Sequence, residues 1–265
     1  MSSRTEQKQQ LKAERIERER VRALEVRRAR RLRLLGIVLV AALAVVAIAI
    51  AVSGGGGGKK QVSTKNAAAV VTARFKGVPQ HGLVVGNPKA PVTFVEFADL
   101  KCPVCQAYTL SVFPKLFDKY VRTGKVKMQL QLQHFVGDQN GDSEAAARMA
   151  LAAAKQNKMW NFADLFYYNQ QDETTTYVTN QFLRRIGAGV PGLNVNQALA
   201  ARDGNDITQQ LTQSSSEFNA GGFSGTPSFA IGKGNGTLTQ FNPASFTDPS
   251  SYEQAIDKAL GSSGS

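Results

Sequence analysis

The sequence predicts an α/β domain in the order β-α-β, a helical block, then β-β-α, preceded by a single membrane-spanning helix. Three observations carry this. A 19-residue stretch, Leu34 to Val52, contains no charged residue. A buried-strand pattern, Val92 to Phe97, runs into Cys-Pro-Val-Cys and a helical periodicity, and an alternating pattern follows from Val126 to Gln133. Beyond a long helical section, two short strand patterns and one last helical pattern close the chain.

The 265 residues are 42% hydrophobic, which excludes a disordered chain. Their 32 Lys/Arg against 20 Asp/Glu give a net charge of +12. Residues 1–33 alone hold 12 Lys/Arg against 5 Asp/Glu. The basicity is thus mostly a leader property, no recognition motif accompanies it, and no nucleic-acid partner is expected. At about 1.5 Å per residue, Leu34–Val52 reaches about 28 Å as a helix, close to the roughly 30 Å hydrocarbon layer. It is apolar on every side, unlike the amphipathic helix of a soluble core. Arg27, Arg28, Arg30, Arg31 and Arg33 flank only its N-terminal end. Positive-inside bias therefore keeps residues 1–33 cytoplasmic and places everything beyond Val52 outside the cell membrane, with the bilayer as a partner of residues 34–52. A cleaved signal peptide ending in the small residues Ala51 to Ser53 is the competing reading; the length of the apolar run and of its leader favours a retained anchor. The leader reads either as a basic helix along the anionic inner leaflet or as a solvated tail that fixes topology.

Ser53 to Gly58 is a glycine-rich linker, and residues 53–82 as a whole read as linker and irregular lead-in. The domain proper is expected over 83–260, with a flexible tail at 261–265. Val92 to Phe97 has the β-branched and aromatic look of a buried strand, entered through the turn GNPKAP. Tyr108, Val112, Leu116 and Tyr120 recur at helical spacing, with Pro114 as a kink. Val126, Met128, Leu130 and Leu132 then alternate with Lys127, Gln129, Gln131 and Gln133, a strand with one more polar face. Strand, crossover helix and strand form a right-handed βαβ unit. A helical insertion occupies about 137–221: one helix capped by Ser143, one over MWNFADLFYY, one marked by Val178, Phe182 and Ile186, and one by Ile207, Leu211 and Phe218. The strands SFAIG and TLTQF, joined by KGNG, and a helix near Tyr252 to Leu260 complete the domain.

Both cysteines of the chain lie in DLKCPVCQAY. A structural zinc site needs four ligands, and beyond Cys102 and Cys105 only His81 and His134 are available, unpaired in spacing, so no metal is expected. A structural disulfide is compatible with an oxidising compartment, yet a bond closing so small a loop removes little unfolded-state entropy. Position favours a redox pair. A cysteine between a buried strand and the first turn of a helix has its thiolate stabilised by free backbone N–H groups and the helix dipole. Such a site lowers a thiol pKa from about 8.5 towards roughly 3.5–7.5. Cys102 gains most, and Cys105, one turn further in, is placed to attack a mixed disulfide on Cys102. Pro103 suits the first helical turn. Val104 brings the thiolate neither charge nor a side-chain donor, and Lys101 offers electrostatic help or is merely solvated.

The pattern APVTFVEFADLKCPVC, the helical block with MWNFADLF, and GTPSF, in this order, resemble the DsbA-like branch of the thioredoxin superfamily over roughly Leu83 to Leu260. The resemblance implies a thioredoxin fold with a helical insertion and an extracytoplasmic thiol–disulfide oxidoreductase. It makes Cys102 the nucleophile and Cys105 the resolving thiol. Pro227 takes the position of the family's cis-proline, with Thr226 before it pairing its backbone with an extended substrate. Glu96 matches a buried acid that assists proton transfer, its plain alternative being a residue paired at a sheet edge. No cofactor is required, since the dithiol is itself the redox group. The implied partners are exported proteins with cysteines and a membrane redox protein that resets the dithiol. The strong oxidants of the family carry histidine at the position of Val104, which leaves open a reductase or isomerase fed by a membrane electron carrier. A non-catalytic thioredoxin-like binding module is the remaining alternative.

Overall fold

The computed structural model describes residues 64–137 and 141–261. The leader, the apolar stretch Leu34–Val52, the glycine linker and most of the tail lie outside the described residues. Among the described residues, no helix is long and apolar enough to cross a membrane.

The chain begins with α1 (Thr64–Phe75), then short strands β1 (Gln80–His81) and β2 (Val84–Val85), and the long strand β3 (Val92–Asp99). Next come α2 (Pro103–Ser111), α3 (Phe113–Leu116), a wider helical turn over Phe117–Val121, and β4 (Val126–Gln133). Helices α4 (Asp142–Ala154), α5 (Met159–Tyr168), α6 (Asn180–Ala188), α7 (Val195–Ala201) and α8 (Asn205–Ala220) follow. Strands β5 (Ser228–Lys233) and β6 (Thr239–Phe241) and helix α9 (Ser250–Leu260) close the domain. The six strands form one mixed sheet in the order β1-β2-β4-β3-β5-β6. Only β3 and β4 run parallel, Glu96 standing opposite Leu130; β5 lies antiparallel on the other side of β3, with Phe229 opposite Glu96.

Strand β3 is therefore central, and all eight of its residues are buried. Its alternation sorts the two faces. Phe94 meets Phe229 and Tyr252 under α9, whereas Phe97 meets Phe218 of α8 on the opposite face. The same alternation in β4 puts Val126, Met128, Leu130 and Leu132 into the main core. Its other face, expected to be the more polar one, is covered by α8. Gln131 Nε2 donates to Glu217 Oε2 at 2.6 Å and Gln133 Nε2 to Ser214 Oγ at 2.7 Å. Glutamine suits such a buried face because its amide finds partners there.

Two expectations are corrected and one is sharpened. The lead-in is not irregular up to residue 82: α1 buries Ala67, Val71 and Phe75, four residues apart, and Phe75 packs on Phe117 with ring centroids 5.1 Å apart. Arg74 of α1 also pairs with the buried Asp164 of α5. The segment is a short, alanine-rich helix whose remaining faces carry little polar contrast, so periodicity alone did not mark it. Second, the kink expected at Pro114 takes the form of a break: α2 stops at Ser111, α3 starts at Phe113, and the chain widens over Phe117–Val121. Proline has no N–H to give to the preceding turn. Third, Ser143 is not a cap. Helix α4 begins at Asp142 behind Gly141, and the Ser143 hydroxyl donates to Asp99 Oδ1 at 2.6 Å.

Candidate active site

The C-terminal end of β3 delivers Asp99, and a tight turn, in which the Cys102 N–H donates to the Asp99 carbonyl at 3.0 Å, leads into α2. Pro103 is the first residue of that helix, where no backbone donor is lost. Cys102 sits just ahead of it in an extended conformation and is 6% exposed; Cys105, one turn in, is fully buried. Both are free thiols. The loop before β5 comes up against this point, with a cis peptide bond between Thr226 and Pro227, and Cys102 Sγ lies 3.3 Å from the Thr226 carbonyl. Sequence spacing of 124 residues is thus closed to one contact.

The two sulfurs have opposite environments. The Cys102 thiol is pulled down to about 7, first by the Cys105 thiol donating to it, and further by the backbone N–H groups of Cys105 and Val104 and by Thr226; burial opposes this. The carbonyl of Thr226 accepts from the protonated sulfur, so the help from that residue is assigned to its side chain, whose buried hydroxyl has no hydrogen-bond partner in the protein. Val104 is half-buried against the core and acts through its backbone alone. Cys105 moves the other way, far above the ordinary thiol value, because burial and the neighbouring Cys102 both disfavour its charge.

Glu96 stands in the middle of the sheet rather than at an edge. It is 3% exposed, and one of its oxygens has no hydrogen-bond partner. Burial, followed by the charge of Cys102, raises its carboxyl to about 8. Lys101, read from the sequence as a solvated or thiolate-assisting cation, does neither. It is 1% exposed, its Nζ lies 2.6 Å from Asp142 Oδ2, and it also donates to the Thr175 carbonyl at 2.9 Å. Gly137, with φ of +69°, lets the chain pass there, since a Cβ would come 3.0 Å from Lys101 Nζ.

A frame of buried polar contacts around the site escaped the sequence reading. Asp99 accepts from the Lys101 and Val136 N–H groups and from Ser143; Gln170 Nε2 donates to the carbonyls of Leu100 at 2.7 Å and Cys102 at 3.1 Å. The Tyr167 hydroxyl donates to the Asp99 carbonyl. The helical block thereby holds the loop that carries Cys102. A sequence signal existed only for Asp99, in the turn-forming run ADLK before the cysteines.

A dithiol at the start of a helix, after the central strand of a mixed sheet and against a cis-proline loop, defines a thioredoxin-fold protein built for thiol chemistry. The family model described as thioredoxin matches residues 79–257, and the chain belongs to this family, in its DsbA-like branch of thiol–disulfide oxidoreductases. A Bacillus cereus protein named "probable disulfide bond formation protein D" is 32% identical over 177 residues, spanning 66% of this chain and 77% of that one. Oxidised BdbD of Bacillus subtilis shares the fold with a TM-score of 0.59 at 24% identity, covering 69% of this chain and 97% of that structure. A thioredoxin-like oxidoreductase of Silicibacter pomeroyi gives a TM-score of 0.52 at 27% identity, covering 71% and 95%.

Proposed function

We propose that this chain is a membrane-tethered disulfide oxidoreductase of exported proteins, with Cys102 as the exchanging sulfur and Cys105 as the resolving one. The observation that carries the assignment is the placement of the sulfurs: Cys102, 6% exposed, lies just ahead of the helix and against the Thr226 carbonyl, while Cys105 is fully buried one turn in, and these surroundings pull the first thiol down to about 7 and push the second up. In the oxidised protein a substrate thiolate attacks Cys102 Sγ, the Cys102–Cys105 bond breaks, and its electron pair leaves on Cys105 Sγ. That sulfur takes up a proton, and Glu96, raised to about 8 and so protonated at neutral pH, is the buried acid that gives it. A second substrate thiolate then attacks the substrate sulfur of the mixed disulfide and expels the Cys102 thiolate. Two substrate thiols become a disulfide, and the two electrons remain on the Cys102/Cys105 pair until a membrane redox partner removes them. Thr226 and Pro227 line the approach to Cys102, where an extended substrate segment lies along the Thr226 backbone.

The same numbers support a second direction. An attacking thiol works best with a pKa near ambient pH. The reduced Cys102, at about 7, is therefore also suited to opening or reshuffling substrate disulfides. The uncharged stretch Leu34–Val52 and its one-sided arginines support the tether and the extracytoplasmic placement. Insulin reduction and oxidative refolding of a reduced substrate, each with Cys102→Ser as control, test the activity. Cysteine-independent or absent turnover in both assays leaves only the binding module. Protease added to intact cells should release the domain from about Lys59 and spare residues 1–33; a mature soluble protein starting near Gly54 refutes the retained anchor.

A further inference from the structure

On the face of β3 shared by Phe94 and Glu96, the carboxyl has no polar neighbour within the sheet. Leu130 stands opposite it on β4 and Phe229 on β5. The Phe229 ring carries two tyrosine rings, Tyr108 of α2 at 4.8 Å and Tyr252 of α9 at 5.3 Å, and these two rings lie 5.3 Å from each other. Both tyrosines are fully buried, and neither hydroxyl has a hydrogen-bond partner in the protein, in common with one oxygen of Glu96. Tyr108 also follows Cys105 by three positions on α2, which puts them on one side of that helix. Three orphan oxygens from three elements thus belong to side chains gathered around Phe229, and Cys105 lies in the same core. Buried polar groups rarely remain unpaired, and clusters of this kind are commonly joined by ordered water.

We infer that the hydroxyls of Tyr108 and Tyr252 are positioning groups for Glu96, donating to its carboxylate through shared water so that it can give and retake the Cys105 proton. This rests on the roles of Cys105 and Glu96 proposed above. Electrostatics agree with the placement: the charge of Glu96 acts on both hydroxyls, and Cys105 acts on Tyr252. The other titratable groups facing this cluster are Cys102 and, from α5, Tyr167.

The test uses Tyr108→Phe, Tyr252→Phe and the double variant, which lose a hydroxyl and keep the ring. In the oxidised protein no thiol of this pair titrates, so the infrared carbonyl band of protonated Glu96, identified by its loss in Glu96→Gln, reports the carboxyl alone. Losing a donor to the ionised form should raise its midpoint by about one pH unit per hydroxyl. Reaction of the oxidised protein with glutathione, which frees Cys105, should slow several-fold in parallel and show a displaced pH profile. A midpoint unmoved in the double variant, or moved with an unchanged rate, overturns the positioning role. Absence of Cys102-dependent insulin turnover in the unaltered protein overturns the exchange reading instead, because the infrared midpoint does not depend on turnover.

Discussion

Replacing Glu96 by glutamine should stabilise the protein, and the gain should grow with pH. The carboxyl is raised from an ordinary 4.5 to about 8, chiefly because burial disfavours its charge. The folded state thus binds this proton more tightly than the unfolded chain, and stability is lost as pH climbs from the unfolded value through the folded one. About 3.5 pH units separate the two, and at about 1.36 kcal/mol per unit the penalty approaches a ceiling of about 5 kcal/mol above pH 8 and about 3 kcal/mol at pH 7. Glutamine cannot ionise, so the penalty disappears. The cost of its own buried amide is independent of pH and drops out of the comparison. Guanidinium unfolding of Glu96→Gln and the unaltered protein at pH 4.5, 7 and 8.5 reads the difference. The gain should be smaller in the oxidised form, which lacks the Cys102 thiolate that contributes to the shift. An advantage of equal size at pH 4.5 and 8.5 would refute burial of the charge as the cause.

Thiolate absorbance should show Cys102 titrating near 7, with alkylation at mildly acidic pH labelling it before Cys105. Since its folded value lies below the unfolded 9, Cys102 contributes stability that appears as pH rises through this window, read as the difference between the reduced protein and Cys102→Ser; first labelling of Cys105 reverses the assigned roles. Lys101→Met should cost about 3–5 kcal/mol by leaving Asp142 charged and buried, and Asp142→Asn added to it should cost less than the sum of the single changes. Additive losses in that cycle, measured by denaturant unfolding, would show that the pair is not coupled. Val104→His should make the dithiol more oxidising by tens of millivolts and lower the Cys102 pKa with it, since a charge-assisted contact of about 1.5–3 kcal/mol is gained and about 30 mV corresponds to 1.4 kcal/mol. Glutathione equilibration that leaves both unchanged places the thiolate's support elsewhere.

What the sequence displayed was local. The β3 pattern, the Cys-Pro-Val-Cys start of α2 and the strand after Thr226-Pro227 are each written in a few consecutive residues, so their types and order were legible. The partners of Lys101 and Glu96 were not, because they come from far along the chain. Asp142 reaches Lys101 from 41 residues away, and Phe229 stands beside Glu96 only through the antiparallel pairing of β5. The glutamines of β4 show the same limit: alternation marks the polar face but not the helix that covers it, 81 residues on from Gln133. Helix α1 shows the complementary failure. Its three buried residues are spaced correctly, but alanines around them flatten the contrast on which periodicity depends.

The fate of Lys101 bears on the chemistry of its neighbour. Adjacent to Cys102 in sequence, it is the nearest candidate for an ionic partner of the thiolate, yet its ammonium is spent on Asp142, the Thr175 carbonyl and the Tyr177 ring, 5.2 Å away. Asp142 in turn accepts from the backbone N–H groups of Tyr177 and Val178, so the ion pair stitches the loop after α5 to the start of α4. The cation thus serves the architecture of the helical block, and the stabilisation of Cys102 is left to neutral donors: the Cys105 thiol, two backbone N–H groups and Thr226. Neutral donors stabilise a charge less than an ion does. A Cys102 thiolate held near 7 rather than several units lower follows from that division of labour, and it is why one valine between the cysteines has so much to decide.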